Sequence, residues 1–345
     1  MPFIDRSLWY EWTSRTRCIV VKLQQVSESC FAVLNERSRA CDANSGYINR
    51  GGGVVIDTQA DLRHARRMIE LFGRVWPGMP KRVINTSENG DHVSGNQLFA
   101  GSEIIAHRAV PDRMKQVADP MRYRKLLEGA NGFVSRLVLK AVRPGALAVG
   151  TQLRQDYDFD GIELTLPATL FDDRYVLDLD GMEVHLIHVG PCHQVGDTIV
   201  HVPEEGVVFA GDVVFRECTP MGWTGSCEKW LQCLDLIVWL DPEVIVPGHG
   251  PLCGIEGAME MKAYLEYVCD ESKRCFGQGL NALEAAKRIE LGPYRGWRCP
   301  ARLYANVESA YREFRNESAK APSDATGTFN AMYEVAKARG MEVEF

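Results

Sequence analysis

The sequence predicts a mixed α/β fold, a strand-rich core closed by a helical C-terminal part. Short apolar runs of strand type, bounded by glycine, proline and polar residues, recur from Cys18 to about Pro251. From about Gly254 onward the apolar residues return at helical spacing. With 345 residues, 46% hydrophobic and 25% charged, the chain is long enough for one large core and an appendage. We divide it as a catalytic domain over residues 1–255 and a helical extension over 256–345.

In chain order, CIVVKL, CFAVLNE and GVVIDT read as strands, and ADLRHARRMIELFGRVW as an amphipathic helix. RVINT is a buried strand, EIIAHRAV another, and PDRMKQVADPMRYRKLLEGA is helix-like. The stretch from Arg143 to Pro167, punctuated by Gly and Pro, reads as a region that lines or covers a pocket. YVLDLDGMEVHLIHV is two strands joined at Asp180-Gly181, a strong hairpin signal. TIVHV, GVVFAGDVVF and EVIVPGHG follow as strands, with the helical CEKWLQCLDLIVWL before the last. AMEMKAYLEYVCDES, NALEAAKRIEL, ARLYANVESAYREF and NAMYEVAKARG make the helical tail. Gly51-Gly52-Gly53 leads into a strand, so it is a tight strand connection and not a phosphate loop. DYDFDG, Asp156 to Gly161, starts like a calcium loop but reaches Pro167 where the bidentate Glu belongs, and reads as an acidic turn.

A formal charge of −7 with scattered Lys and Arg gives no stripe for phosphates, so nucleic acid is not an expected partner. The apolar runs fall short of a membrane span. The start, MPFIDRSLWYEW, lacks the basic and apolar regions of a signal peptide, which points to the cytoplasm. Eleven cysteines, odd in number and without a C-x-x-C pair, read as reduced, mostly buried thiols.

Polar groups at strand ends carry the chemistry. Asp91 and His92 follow RVINT within NTSENGDHVSGN, His193 lies in GPCHQVGD, Asp212 in FAGD and His249 in VPGHG. Each follows an apolar strand beside glycine, which puts a ligand-capable side chain on a loop at a sheet edge. Over about residues 17–255 this order resembles the metallo-β-lactamase superfamily. The resemblance implies an αββα sandwich of two mixed sheets, with helices outside and a metal site along one edge. The family's first motif, His-x-His-x-Asp-His, falls on Ser87, Asn89, Asp91 and His92, and the later ligands on His193, Asp212 and His249. Asp212 stands where the true β-lactamases carry cysteine, which speaks against antibiotic hydrolysis by that route. One metal position thus keeps Asp91, His92, His249 and Asp212, while the other is reduced to His193 and the shared Asp212.

Glu88, between the two replaced histidines, is the candidate to fill the vacant position. The metal ligands are then Glu88, Asp91, His92, His193, Asp212 and His249, an oxygen-rich set that suits iron better than zinc. In outline this resembles the non-haem di-iron oxygenases of natural-product biosynthesis within the superfamily. It implies an iron-dependent monooxygenase, holding two irons, that hydroxylates an acyl or coenzyme A-linked small molecule. Electrons would come from an external partner, because no flavin or ferredoxin motif is visible. The rival expectation is a zinc-dependent hydrolase such as a thioesterase, with Asp91 or His193 moving the proton. A third is a non-catalytic scaffold on the same fold. Ser87 is expected to leave room for substrate or water, and Asn89 to hydrogen-bond a ligand carboxylate. His185, His188 and His201 read as packed or surface histidines, and His64 as lying on the outer face of its helix. RGWRCPAR, Arg295 to Arg302, is a local basic cluster suited to a phosphate of a coenzyme A arm. The tail is a candidate pocket wall or homodimer contact.

Overall fold

The structure is a computed structural model that describes residues 19, 21–37, 39, 41–129, 133–318, 321 and 323–345. The N-terminal MPFIDRSLWYEW, and Cys18 and Val20 of CIVVKL, lie outside the described residues. The strands form two sheets. The first runs in chain order through β1 (Val21–Gln25), β2 (Cys30–Asn35), β3 (Ser45–Ile48), β4 (Val54–Ile56), β5 (Arg82–Ile84), β6 (Glu103–His107) and β7 (Thr169–Phe171). Neighbours pair antiparallel up to β4 and parallel beyond it. The second sheet holds β8 (Arg174–Leu179), β9 (Met182–His188), β10 (Thr198–Val202), β11 (Val207–Phe215) and β12 (Val244–His249), also in chain order. Here only β11 and β12 are parallel.

The helices are α1 (Leu62–Phe72), α2 (Gly90–Val93), α3 (Val110–Val117), α4 (Pro120–Gly129), α5 (Phe133–Val142), α6 (Pro144–Asp156), α7 (Cys227–Leu240), α8 (Ile255–Gly277), α9 (Ala282–Arg288), α10 (Leu303–Phe314) and α11 (Ala325–Arg339). Between the sheets, Ile48, Ile56, Ile84 and Ile105 of the first meet Leu186, Val200, Phe209 and Val246 of the second in one buried cluster. Each fully buried side chain of this kind contributes about 1.5–3 kcal/mol. α1 packs Met68, Leu71 and Phe72 onto the outer face of the first sheet, against Val33, Val55 and Val83. The second sheet's outer face shares a cluster with Leu234 of α7, Tyr264 and Val268 of α8 and Val307 of α10. The layers are therefore helix, sheet, sheet, helix. The helices after residue 255 complete the second outer layer, because β11 and β12 are apolar on both faces and need a cover.

Several elements differ from the sequence reading for physical reasons. The helical run from Pro111 splits into α3 and α4, since Pro120 has no N–H to continue a helix and is tolerated only in a first turn. The Arg143–Pro167 stretch is largely the helix α6. Its Gly145 is retained by close packing: a Cβ there would lie 2.1 Å from the Phe329 carbonyl oxygen of α11. β3, with the sequence SGYI, was hidden by its short, glycine-containing run; Gly46 leaves space that the Phe209 ring fills. His64 is buried, bonded through Nδ1 to Asp61 at 2.7 Å. Cys227 and Cys269 form a disulfide tying α7 to α8, against the expectation of reduced thiols throughout. Asp156 of the acidic turn pairs with Arg37 and Arg39 at 2.8 Å each. No described helix is long and apolar enough to cross a membrane.

Candidate metal centre

Chain segments from both sheets meet at one edge of the sandwich. Asp57 follows β4 with φ of 60° and accepts from the Thr86 N–H at 2.8 Å and the Thr86 hydroxyl at 2.6 Å. That anchors the segment after β5, so α2 presents Asp91 and His92 inward, both buried. Asp212 lies within β11 and His249 ends β12. The two approach closely because Gly248 has no side chain; a Cβ there would sit 2.1 Å from Asp212 Oδ1.

The donor atoms of Asp91, His92 and His249 all lie within 4.8 Å of one another. His92 Nε2 stands 3.2 Å from Asp212 Oδ2 and 3.9 Å from Asp91 Oδ2. His249 Nε2 stands 3.4 Å from Asp91 Oδ2 and 3.3 Å from Asp212 Oδ1. Donors at about 2.0–2.1 Å from a tetrahedral ion are separated by roughly 3.3 Å, so these four residues fit a metal ion. Two further features agree. The Nδ1 of His92 is bonded to Asp57 at 2.7 Å, which turns its Nε2 lone pair inward. His92 Nε2 and Asp212 Oδ1 are buried without a hydrogen-bond partner among the described residues.

The charges are strongly coupled. Burial works against the His92 imidazolium, but Asp212, Asp57 and Asp91 outweigh it and hold its pKa well above the ordinary value. Burial would raise Asp212, yet His92, His193 and His249 hold it well below the usual carboxylate range. A cation is thus favoured between these groups, and a metal ion would compete there with protons.

His193 reaches the other side of Asp212, with Nε2 3.1 Å from Oδ2. Burial pushes its pKa down to about 4, outweighing Asp212. Its loop is pinned by Asp197, whose Oδ2 accepts from the backbone N–H groups of Cys192, His193 and Gln194 at 2.7–3.2 Å. Asn89 Nδ2 lies 2.8 Å from His193 Nε2, and Asn89 Oδ1 accepts from Gln194 at 2.6 Å. Asn89 therefore supports an imidazole, where a carboxylate partner was expected. Ser87 is buried and, among the described residues, accepts only a long bond from the Asn89 N–H, at 3.4 Å.

Glu88 is not brought to the cluster. Its carboxylate accepts from Val195 N–H at 3.1 Å and Gly196 N–H at 2.9 Å, and pairs with Arg113 at 3.3 Å. Burial pushes the Glu88 carboxyl up and outweighs the two amides and the guanidinium that favour its charge, while Gly196 gives it room. Of the six expected ligands, Asp91, His92, His193, Asp212 and His249 converge and Glu88 faces away. Sequence reading missed Asp57, Asp197 and Gln194. Asp57 was visible as an acid ending an apolar strand, but nothing in the chain order links it to His92.

The cluster opens on a cavity of about 770 Å³. Asp91, His193, Asp212 and His249 line its floor, and Leu126, Val149, Leu153, Met221, Trp223 and Phe329 its apolar walls. α6 and α11 thus supply a pocket wall, as does α4. His185 and His201 pack on each other in the second sheet, and His107 stacks on His188 at 3.6 Å between ring centres, outside the cluster.

Residues 38–249, more than half of the chain, match the family described as the metallo-beta-lactamase superfamily. The chain is 33% identical over 91 residues to the 2,4-dinitroanisole O-demethylase subunit alpha of Nocardioides sp. (strain JS1661), covering 24% of this chain and 26% of that protein. It is 28% identical over 116 residues to the metallo-beta-lactamase type 2 of Bacteroides fragilis, covering 32% of this chain and 47% of that one. The chain thus matches less than half the length of either relative. Among solved structures, the sec-alkylsulfatase Pisa1 from Pseudomonas sp. superposes with a TM-score of 0.61 at 15% identity, over 86% of this chain and 50% of that one. A metallo-beta-lactamase family protein from Thermus thermophilus superposes with a TM-score of 0.56 at 18% identity, over 85% of this chain and 95% of that one. The chain belongs to the metallo-beta-lactamase superfamily.

Proposed function

We propose that this chain is a hydrolase that uses one divalent metal ion to cleave an activated bond in a small, largely apolar molecule. The observation that carries this reading is the asymmetry of the centre. Asp91, His92, Asp212 and His249 meet at ligand spacing, whereas His193 is met by the Asn89 amide and Glu88 is turned onto Val195 and Gly196. Such a set supports one ion better than two. When bound, the ion supplies Lewis acidity at the scissile bond and makes water a better nucleophile.

The chain's own groups do the rest. Asp91 meets the cluster through Oδ2 and lines the cavity floor, which fits it to take a proton there. Phe215 stacks on the His249 ring at 5.1 Å, and Trp230 meets the edge of His193 at 6.1 Å; both hold imidazoles in place and keep water out behind them. The apolar walls fit an acyl chain or aromatic ring, and a thioester, an aryl ester or an activated aryl ether offers a bond of suitable reactivity. The aryl ether class is the one named by the demethylase relative. The balance of two carboxylates and two imidazoles also suits iron, so an iron-dependent oxygenase on an acyl or coenzyme A-linked substrate, with an external electron donor, is the second reading.

The test is turnover of such a panel by zinc- or iron-loaded protein under argon. Hydrolysis without oxygen, lost on chelation and in Asp212→Ala, is the expected result. Turnover only with oxygen and a reductant would replace this reading with the second.

A further inference from the structure

Of the four cations lining the cavity, one is both buried and without an acidic partner among the described residues. Arg113 pairs with Glu88 and Lys115 with Asp112, and Arg122 is exposed. Arg302 is only 3% exposed. Its side chain donates from Nη1 to the Thr219 carbonyl at 3.2 Å, and no described carboxylate lies within ion-pair distance. Burial works against its charge; of its neighbours, the carboxylates of Asp212 and Asp91 favour it, while burial keeps the Cys299 and Cys218 thiols neutral.

The placement is built. Thr219 N–H donates to the Arg298 carbonyl at 2.9 Å, Arg298 N–H donates to Glu217, and Cys218 bridges to Arg298, so the turn carrying Arg302 is fastened to the segment leaving β11. Arg302 N–H then donates to the Cys299 carbonyl at 3.0 Å, closing the turn. Within the basic RGWRCPAR stretch the roles separate: Arg295 is exposed, Arg298 is bound to Glu344, and Arg302 alone turns into the cavity.

A guanidinium has five donors, and beyond the Nη1 bond to Thr219 those of Arg302 can meet a group in the cavity that it lines. A planar anion matches them, because a carboxylate accepts two parallel N–H bonds from the fork. We propose that Arg302 is the anion-recognition residue of this cavity and that the substrate carries a carboxylate alongside its apolar body. This deepens the proposed function by naming the substrate's charge, and rests on that reading only in taking the bound anion to be substrate.

The probes are octanoate and its neutral counterpart octanamide, titrated calorimetrically into zinc-loaded full-length protein. The native chain is expected to favour octanoate. Arg302→Gln is expected to lose about tenfold or more of that preference, the size of one charge-assisted hydrogen bond, with zinc content unchanged, and Arg302→Lys to recover part of it. An unchanged preference in a folded, zinc-replete Arg302→Gln would overturn the proposal, since the carboxylate would then sit on the metal or at the exposed cations. Should that variant not fold, the native chain decides. Octanoate but not octanamide is expected to shield Arg302 from phenylglyoxal, read by peptide mass. Equal labelling with and without octanoate, or no labelling at all, would overturn it. Neither result depends on turnover, so failure here and failure of the hydrolase reading are distinguishable.

Discussion

Replacing Glu88 by glutamine separates a loop clamp from a metal ligand. In the structure the two carboxylate oxygens each accept a buried backbone N–H, from Val195 at 3.1 Å and Gly196 at 2.9 Å, and one also faces Arg113 at 3.3 Å. Glutamine keeps a single acceptor, so one buried amide is left unmet, a loss of about 1–3 kcal/mol. Arg113, whose side chain is 12% exposed, loses its counter-charge, but the burial that pushes the Glu88 carboxyl up no longer opposes a charge there. The expected loss is therefore about 1–3 kcal/mol in urea unfolding of metal-free protein. Metal content of the purified variant should be unchanged, because Glu88 bonds Val195, Gly196 and Arg113 and none of Asp91, His92, Asp212 and His249. A variant of native stability that loses bound metal would refute this reasoning and return Glu88 to the ligand set.

Other perturbations test separate parts. Asp57→Asn weakens the bond that orients His92 and should lower metal affinity about 10- to 100-fold in a chelator competition. Gly145→Ala forces a Cβ onto the Phe329 carbonyl at 2.1 Å; it should cost about 1–3 kcal/mol by parting α11 from α6, seen as a lower melting temperature. Reducing the Cys227–Cys269 bond, which closes 42 residues of sequence separation, should cost up to about 4 kcal/mol in the chain-entropy model, read as a lower Tm in reductant. Burial and the charge of His188 push the His107 pKa down to about 4. The unfolded chain then binds the extra proton first, so stability present above about pH 6.5 should fall as pH drops toward 4, and His107→Gln should flatten that slope.

Much of the fold was legible because its strands are punctuated. Asp180-Gly181 fixed the β8–β9 hairpin, since both residues take positive φ, and the strands from β8 to β12 coincide with apolar runs. What stayed hidden depended on tertiary contact. A glycine-bearing helix such as α6 forms because α11 packs on it, which no local pattern reports. The centre was legible in its ligand types, since Asp91 and His92 come after an apolar strand, while Asp212 stands beside glycine within β11 and His249 beside glycine at the end of β12, where a strand-end loop was expected. The direction of Glu88 was not, because proximity in sequence to two lost histidines says nothing of the Val195 and Gly196 amides, which reach it from more than 100 positions away. Arg302 was masked in the same way: three arginines looked alike as a basic cluster, and only folding assigned one to Glu344 and another to the cavity.

Elemental analysis of the native chain, expressed with iron and zinc both available, bears most directly on the proposed single-metal reading of the candidate centre. Close to one metal ion per chain, lost in Asp212→Ala, is the expected result. Two irons per chain would contradict it, and would require a second seat that His193, Asn89 and Glu88 do not form in this arrangement.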